Sequence, residues 1–323
     1  MHTTLMGTIA LILLASMPIM QPVNAQDQEP EVGAAFASGT LNLVLANKNG
    51  FVIAADSRMS SETAFRCEPD GKLQVYCDNS QKLFRTGPTS AMVIAGFAVG
   101  HRNSPLDLAV ASVLRRRFGS AGLPGDRGTP NAASEWAEQA LGQALTGVAS
   151  LYPPADALNL ITIFAGFDKN GAPIVRQLVF TETWGPTGPL NVAAPEYRVT
   201  SAETKVTKFL AVYSGITCVA DAVLKGIYKS DDPVIQSYNQ KLHAKLLDGL
   251  SLREMRVLAT VILRETRNFT PLVGGEDQIG VFPVNGDAEW HLPKVLPSQT
   301  QLSPSFHAME RSLLRELATT MHP

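Results

Sequence analysis

The chain has 323 residues, 45% of them hydrophobic, with 27 basic and 29 acidic side chains and a formal net charge of −2. That length and apolar content support a substantial core. The near-balanced charge excludes the uniform positive field with which a protein attracts nucleic acid or an anionic membrane.

Residues 1–25 read as an export signal. An apolar run from Leu5 to Met20, too short for a comfortable membrane span, precedes Pro22 and the cleavage-type pattern Val23-Asn24-Ala25. Its n-region carries only His2 and the terminal amine, so an uncleaved anchor is the alternative reading. A periplasmic or extracellular protein is expected. Residues 26–39 are small and acidic, show no helical or strand period, and end at Gly39, which suits a propeptide. One folded domain is expected over 40–292 and a C-terminal tail with a helix over 293–323.

Residues 41–46 and 51–55 are apolar runs around the hairpin turn Asn47-Lys48-Asn49-Gly50, and both strands should be buried on two faces. Cys67 and Cys77 flank the turn signal Pro69-Asp70-Gly71, so the arms of a hairpin could join them as a disulfide in an oxidising compartment; two unpaired thiols are the alternative. Cys218 is expected to be buried in a helix. Strands follow at 81–85 and 91–96, then a helix capped at Asn103-Ser104-Pro105 and a second over 131–151. The Arg115-Arg116-Arg117 cluster reads as a solvated helix end.

A second block has strands at 158–164, 173–180 and 208–213, with Asp168-Lys169-Asn170-Gly171 turning the first pair. Helices are expected at 218–228, 234–247 and 251–267, and strands at 278–282 and 289–292. Strands segregated from helices point to an α+β arrangement of two face-to-face sheets with helices outside.

Gly39-Thr40, the run Val52-Ile53-Ala54-Ala55-Asp56-Ser57-Arg58, Gln81-Lys82-Leu83 and Ile94-Ala95-Gly96 resemble the catalytic half of proteasome β-type subunits and the bacterial proteasome homologue. Tyr213-Ser214-Gly215 and Gly274-Gly275 resemble later elements of that family more weakly. The resemblance implies the four-layer αββα sandwich of N-terminal-nucleophile hydrolases, self-cleavage at Gly39–Thr40, no cofactor or metal, and homo-oligomeric rings. The long insertion after Arg58, the helix at 234–247 and the tail stand against ring packing. An exported protein would have no ATP supply, so no ATPase partner is expected.

The chemistry explains the residue types. A threonine hydroxyl needs a base within hydrogen-bond reach, and a free α-amine, with an unperturbed pKa of about 7.7–8.0, suits that work near neutrality. Thr40 supplies both groups once the preceding bond is cut. Resemblance assigns Lys82 to the side of Thr40, with Lys72 as the competitor, and Asp56 as the counter-charge of that lysine. It gives Gly96 the oxyanion N–H and Ser214 a part in the amine network, with Arg58 as a brace and Ser60 on the substrate backbone. Ile94 and Ala98 would line an apolar specificity pocket. Where the family places an Asp and a Ser before its Gly-Gly element, this chain has Thr270-Pro271-Leu272-Val273. Three readings therefore stand: a peptidase, an amidohydrolase acting on small amides, or a catalytically silent binding subunit.

Overall fold

In a computed structural model, residues 31–36, 40–67, 72–78, 82–96, 99–100, 104–105, 159–184 and 195–291 are described. The strands are β1 (Glu31–Phe36), β2 (Leu41–Asn47), β3 (Gly50–Ala55), β4 (Met59–Cys67), β5 (Lys72–Cys77), β6 (Leu83–Gly87), β7 (Ser90–Gly96), β8 (Val99–Gly100), β9 (Ser104–Pro105), β10 (Asn159–Phe167), β11 (Pro173–Trp184), β12 (Pro195–Lys205) and β13 (Leu210–Gly215). Helices α1 (Cys218–Leu224), α2 (Pro233–His243) and α3 (Leu252–Phe269) follow, then β14 (Gln278–Pro283) and β15 (Glu289–His291).

A six-stranded sheet runs β1-β13-β2-β3-β14-β15 and a five-stranded sheet runs β12-β11-β10-β7-β6. All neighbours are antiparallel except β1 and β13, which are parallel. Side chains alternate faces along a strand, and β2 and β3 use both. Leu41, Leu43, Leu45, Val52 and Ala54 join a core with α1, α2 and α3, while Val44, Ala46, Phe51, Ile53 and Ala55 pack on Val93, Ala95, Ile161 and Ile163 of the second sheet. Fully burying one such Leu, Ile or Phe contributes about 1.5–3 kcal/mol. Both runs therefore lack the apolar-polar alternation of a half-exposed strand.

Helix α3 begins at a capping box, in which the Ser251 hydroxyl accepts from the Glu254 N–H and the Glu254 carboxylate accepts from the Ser251 N–H. It buries Met255, Leu258, Ala259, Ile262, Leu263 and Thr266 at helical spacing and stops before Pro271.

The described residues correct several expectations. They form two mostly antiparallel sheets with three helices on the outer face of the first sheet, which is not the four-layer αββα sandwich. The outer face of the second sheet buries Phe84, Met92 and Phe164, and no described helix lies on it. Residues 31–36, read as structureless, form an edge strand held by the ladder to β13. β12 was not expected. Its Thr200, Ser201, Ala202, Glu203 and Lys205 are exposed on the sheet edge, so this half of the strand has no apolar face to reveal it.

The Cys67–Cys77 disulfide is also overturned. β4 and β5 do pair, but the register sets Cys67 opposite Lys72 and Cys77 opposite Met59, at opposite ends of the ribbon. At a rise of ~3.3 Å per residue, Lys72 and Cys77 are roughly 16 Å apart along β5, beyond the ~7 Å Cα limit for a bridge. Cys218 opens α1 and is exposed, not buried. Ser104 and Pro105, expected at a helix start, pair with Gly100 and Val99. The rest of the two helices expected before residue 152, the export signal and the tail helix lie outside the described residues. Among the described residues no helix is long and apolar enough to cross a membrane.

Candidate active site

Thr40 sits at the entry to β2, 5% exposed. Its carbonyl accepts a hydrogen bond from the Ile216 N–H at 2.6 Å, which ties it to the end of β13. That approach needs glycine at 215: φ is +97°, and an added Cβ would lie 1.8 Å from the Thr40 carbonyl oxygen.

Asp56 follows β3 and is fully buried. Its Oδ1 accepts from the Leu41 N–H at 3.0 Å and its Oδ2 from the N–H groups of Arg58 and Gly274, both at 3.1 Å. The Asp56 N–H donates in turn to the Leu41 carbonyl at 3.2 Å. Lys82, 4% exposed, enters just ahead of β6. Its Nζ donates to Thr40 Oγ1 at 2.7 Å, to Asp56 Oδ1 at 3.0 Å and to the Arg58 carbonyl, three acceptors for three protons. The N–H groups of Lys82 and Leu83 both donate to Gln278 Oε1 at 2.9 Å, fixing this strand start against β14.

A buried ion pair costs several kcal/mol of desolvation per ion and is tolerated only when its remaining polar sites are filled, as they are here. Chemically, an ammonium on a threonine hydroxyl stabilises the alkoxide that forms when the proton leaves. Ile94 is buried, and its N–H donates to the Lys82 carbonyl at 3.1 Å. Val93 and Ala95 turn to the intersheet core, so alternation puts Ile94 on the opposite face of the second sheet, with Phe84. Gly96 ends β7 at the same edge, opposite Leu160.

The turn after α3 closes the site from the other side, through its backbone. Gly274 donates to Asp56 and its carbonyl accepts from the Ser57 N–H at 3.1 Å. Arg58 forms a two-pronged ion pair with Asp78, at 2.6 and 2.8 Å, and donates to the Pro271 carbonyl at 2.7 Å. Arg58 thus braces the turn. Arg267 donates to the Gly275 carbonyl at 3.1 Å and pairs with Asp277, whose carboxyl is pushed up chiefly by burial, with a further push from Asp56 against the opposing pull of Arg267. Val273 points into the helix–sheet core, and Thr270 Oγ1 accepts from the Leu272 N–H at 3.3 Å, so neither side chain replaces the missing carboxylate and hydroxyl.

Ser214 Oγ accepts from Asn42 Nδ2 at 3.3 Å, and Asn42 Oδ1 is buried without a partner. Ser60 lies in β4 with its side chain outside the described residues, as are Gly39 and Ala98; Lys72 begins β5. Sequence reading missed Asn42, Asp78, Gln278 and the backbone of Gly274. Only Asn42 carried a signal, as the polar residue inside Leu41-Asn42-Leu43-Val44-Leu45.

No family model matches the chain, and no curated protein matches it. Among solved structures, a similar chain is that of the helical assembly of the Anbu complex from Pseudomonas aeruginosa, at 17% identity over 87% of this chain and 95% of that one, with a TM-score of 0.42. A likeness at that level carries no family assignment. With no family model behind it, the assignment to proteasome β-type subunits is overturned.

Proposed function

We propose that the chain is an exported hydrolase that frees Thr40 by cutting its own Gly39–Thr40 bond and then cleaves peptide bonds through an acyl-enzyme. The observation that carries this reading is the 2.7 Å contact of Lys82 Nζ with Thr40 Oγ1, beside an Asp56 carboxylate whose hydrogen bonds are filled. In the first step Oγ1 attacks the Gly39 carbonyl carbon, the acyl group moves from nitrogen to oxygen, and water hydrolyses the ester, leaving a Gly39 carboxylate and a free Thr40 amine. In turnover that amine takes the Oγ1 proton as the hydroxyl attacks the substrate carbonyl and passes it to the departing amine. Water then releases the acyl group.

Ile94 beside Lys82 favours apolar side chains ahead of the bond cut, and self-association into a homo-oligomer belongs to the same proposal, to be checked by sedimentation. Small-amide hydrolysis is the neighbouring reading, separated by comparing apolar peptide amides with small acyl amides. A silent binding subunit is favoured by one observation, that the turn over 270–275 reaches the site only through backbone groups and Arg58.

Intact-mass measurement decides first. The active reading expects a chain beginning at Thr40, and Thr40→Ala should keep residues 26–39 and lose turnover by roughly 10⁴-fold or more, as removal of a nucleophile does. A parent protein that begins at Gln26, or a Thr40→Ala variant processed like the parent, overturns it.

A further inference from the structure

Asn42 is fully buried in β2, whose residues are Leu, Val and Ala apart from Asn42 itself and the terminal Asn47. Alternation along β2 puts it on the side of Val44, two residues from Thr40, while Leu41 and Leu43 face the helices. Its Nδ2 donates to Ser214 Oγ, the residue directly across the ladder, and its Oδ1 has no donor. An orphaned buried amide oxygen costs about 1–3 kcal/mol. Asp56, also buried and just across the strand pair, has a donor on each oxygen. The bond from Nδ2 occupies a lone pair of the Ser214 hydroxyl and leaves its proton free to donate.

We propose that Asn42 is a positioning residue for the α-amine of mature Thr40: Nδ2 holds Ser214, and Oδ1 receives a hydrogen bond from the new amine, directly or across one water. This rests on the N-terminal threonine reading. Before cleavage the Thr40 nitrogen carries a single amide N–H, which does not serve Oδ1; cutting the Gly39–Thr40 bond gives that nitrogen further protons and frees it to turn toward the acceptor. An acceptor favours the charged form of the amine and a carboxylate favours it more. Asn42→Leu should therefore lower the pKa of the Thr40 amine, and Asn42→Asp should raise it by about one unit.

The test titrates that amine directly, by following with pH how fast trace acetic anhydride acylates the N-terminal peptide, read by mass. Parent, Asn42→Leu and Asn42→Asp are compared, each first shown by mass to begin at Thr40. Opposite shifts of the two variants support the proposal; a structural role alone would not move them apart. Superimposed titrations, or variants that remain unprocessed while the parent matures, overturn it and leave the function standing. A parent that never begins at Thr40 overturns both. If neither Asn42 variant folds, Ser214→Ala decides: releasing the amide should shift the amine downward, and an unchanged titration overturns the proposal.

Discussion

Asp56 is held from two sides that work differently. On the strand side, beside the Leu41 N–H, Lys82 meets it through an ammonium that also donates to Thr40 Oγ1, so the identity of the side chain matters. On the turn side, Gly274 meets it through a backbone N–H that almost any sequence could supply, provided the chain passes at 3.1 Å. A site can thus fix its chemical groups on rigid strands and delegate their support to the path of a loop. The side chains at 270–273 are then free to vary so long as the backbone path of the turn is kept.

Three substitutions would break or sharpen that contrast. Asp56→Asn should have the largest effect, because it leaves the buried Lys82 ammonium without its counter-charge: a rate loss on the order of 10³-fold, in the range of a lost charge or proton-transfer partner, and about 3–5 kcal/mol of stability, read by single-turnover kinetics and denaturant melts. Gly274→Ala comes next. Its added Cβ would lie 2.4 Å from the Arg58 guanidinium, so the arginine must give way and the turn loosens, with about 1–3 kcal/mol lost. Retention of parental stability in that variant would sink the idea that Arg58 braces the turn. Thr270→Ala should be smallest, within ~0.5 kcal/mol and with no resolved change in rate. A large loss of activity there would mean that the turn contributes side-chain chemistry after all.

Thr40, Asp56 and Lys82 are readable only as a set, through the resemblance of the short motifs around them, since singly each reads as an ordinary strand or surface residue; what the structure adds is that they meet. The hairpin of β2 and β3 is equally legible, since runs buried on both faces leave no polar stripe to confuse them. What stays hidden depends on register and on partners remote in sequence. Nothing in the spacing of Cys67 and Cys77 says that β5 runs Cys77 to the far end of β4. Gln278 reads as an ordinary strand residue, although its side chain fixes the backbone ahead of β6. The second half of the edge strand β12, exposed at Thr200 to Glu203, has no apolar stripe to announce it.

The parallel pairing of β1 with β13 has a consequence for the life history of the molecule. Residues 31–36 lie ahead of the proposed cut but are knitted to β13 by a ladder from Glu31 to Phe36, opposite Leu210 to Gly215. Severing the chain at Thr40 would not by itself expel that piece. It would turn a covalent segment into a bound peptide, and its departure would bare the rim of β13 as a row of unsatisfied amides and carbonyls that another extended chain could occupy.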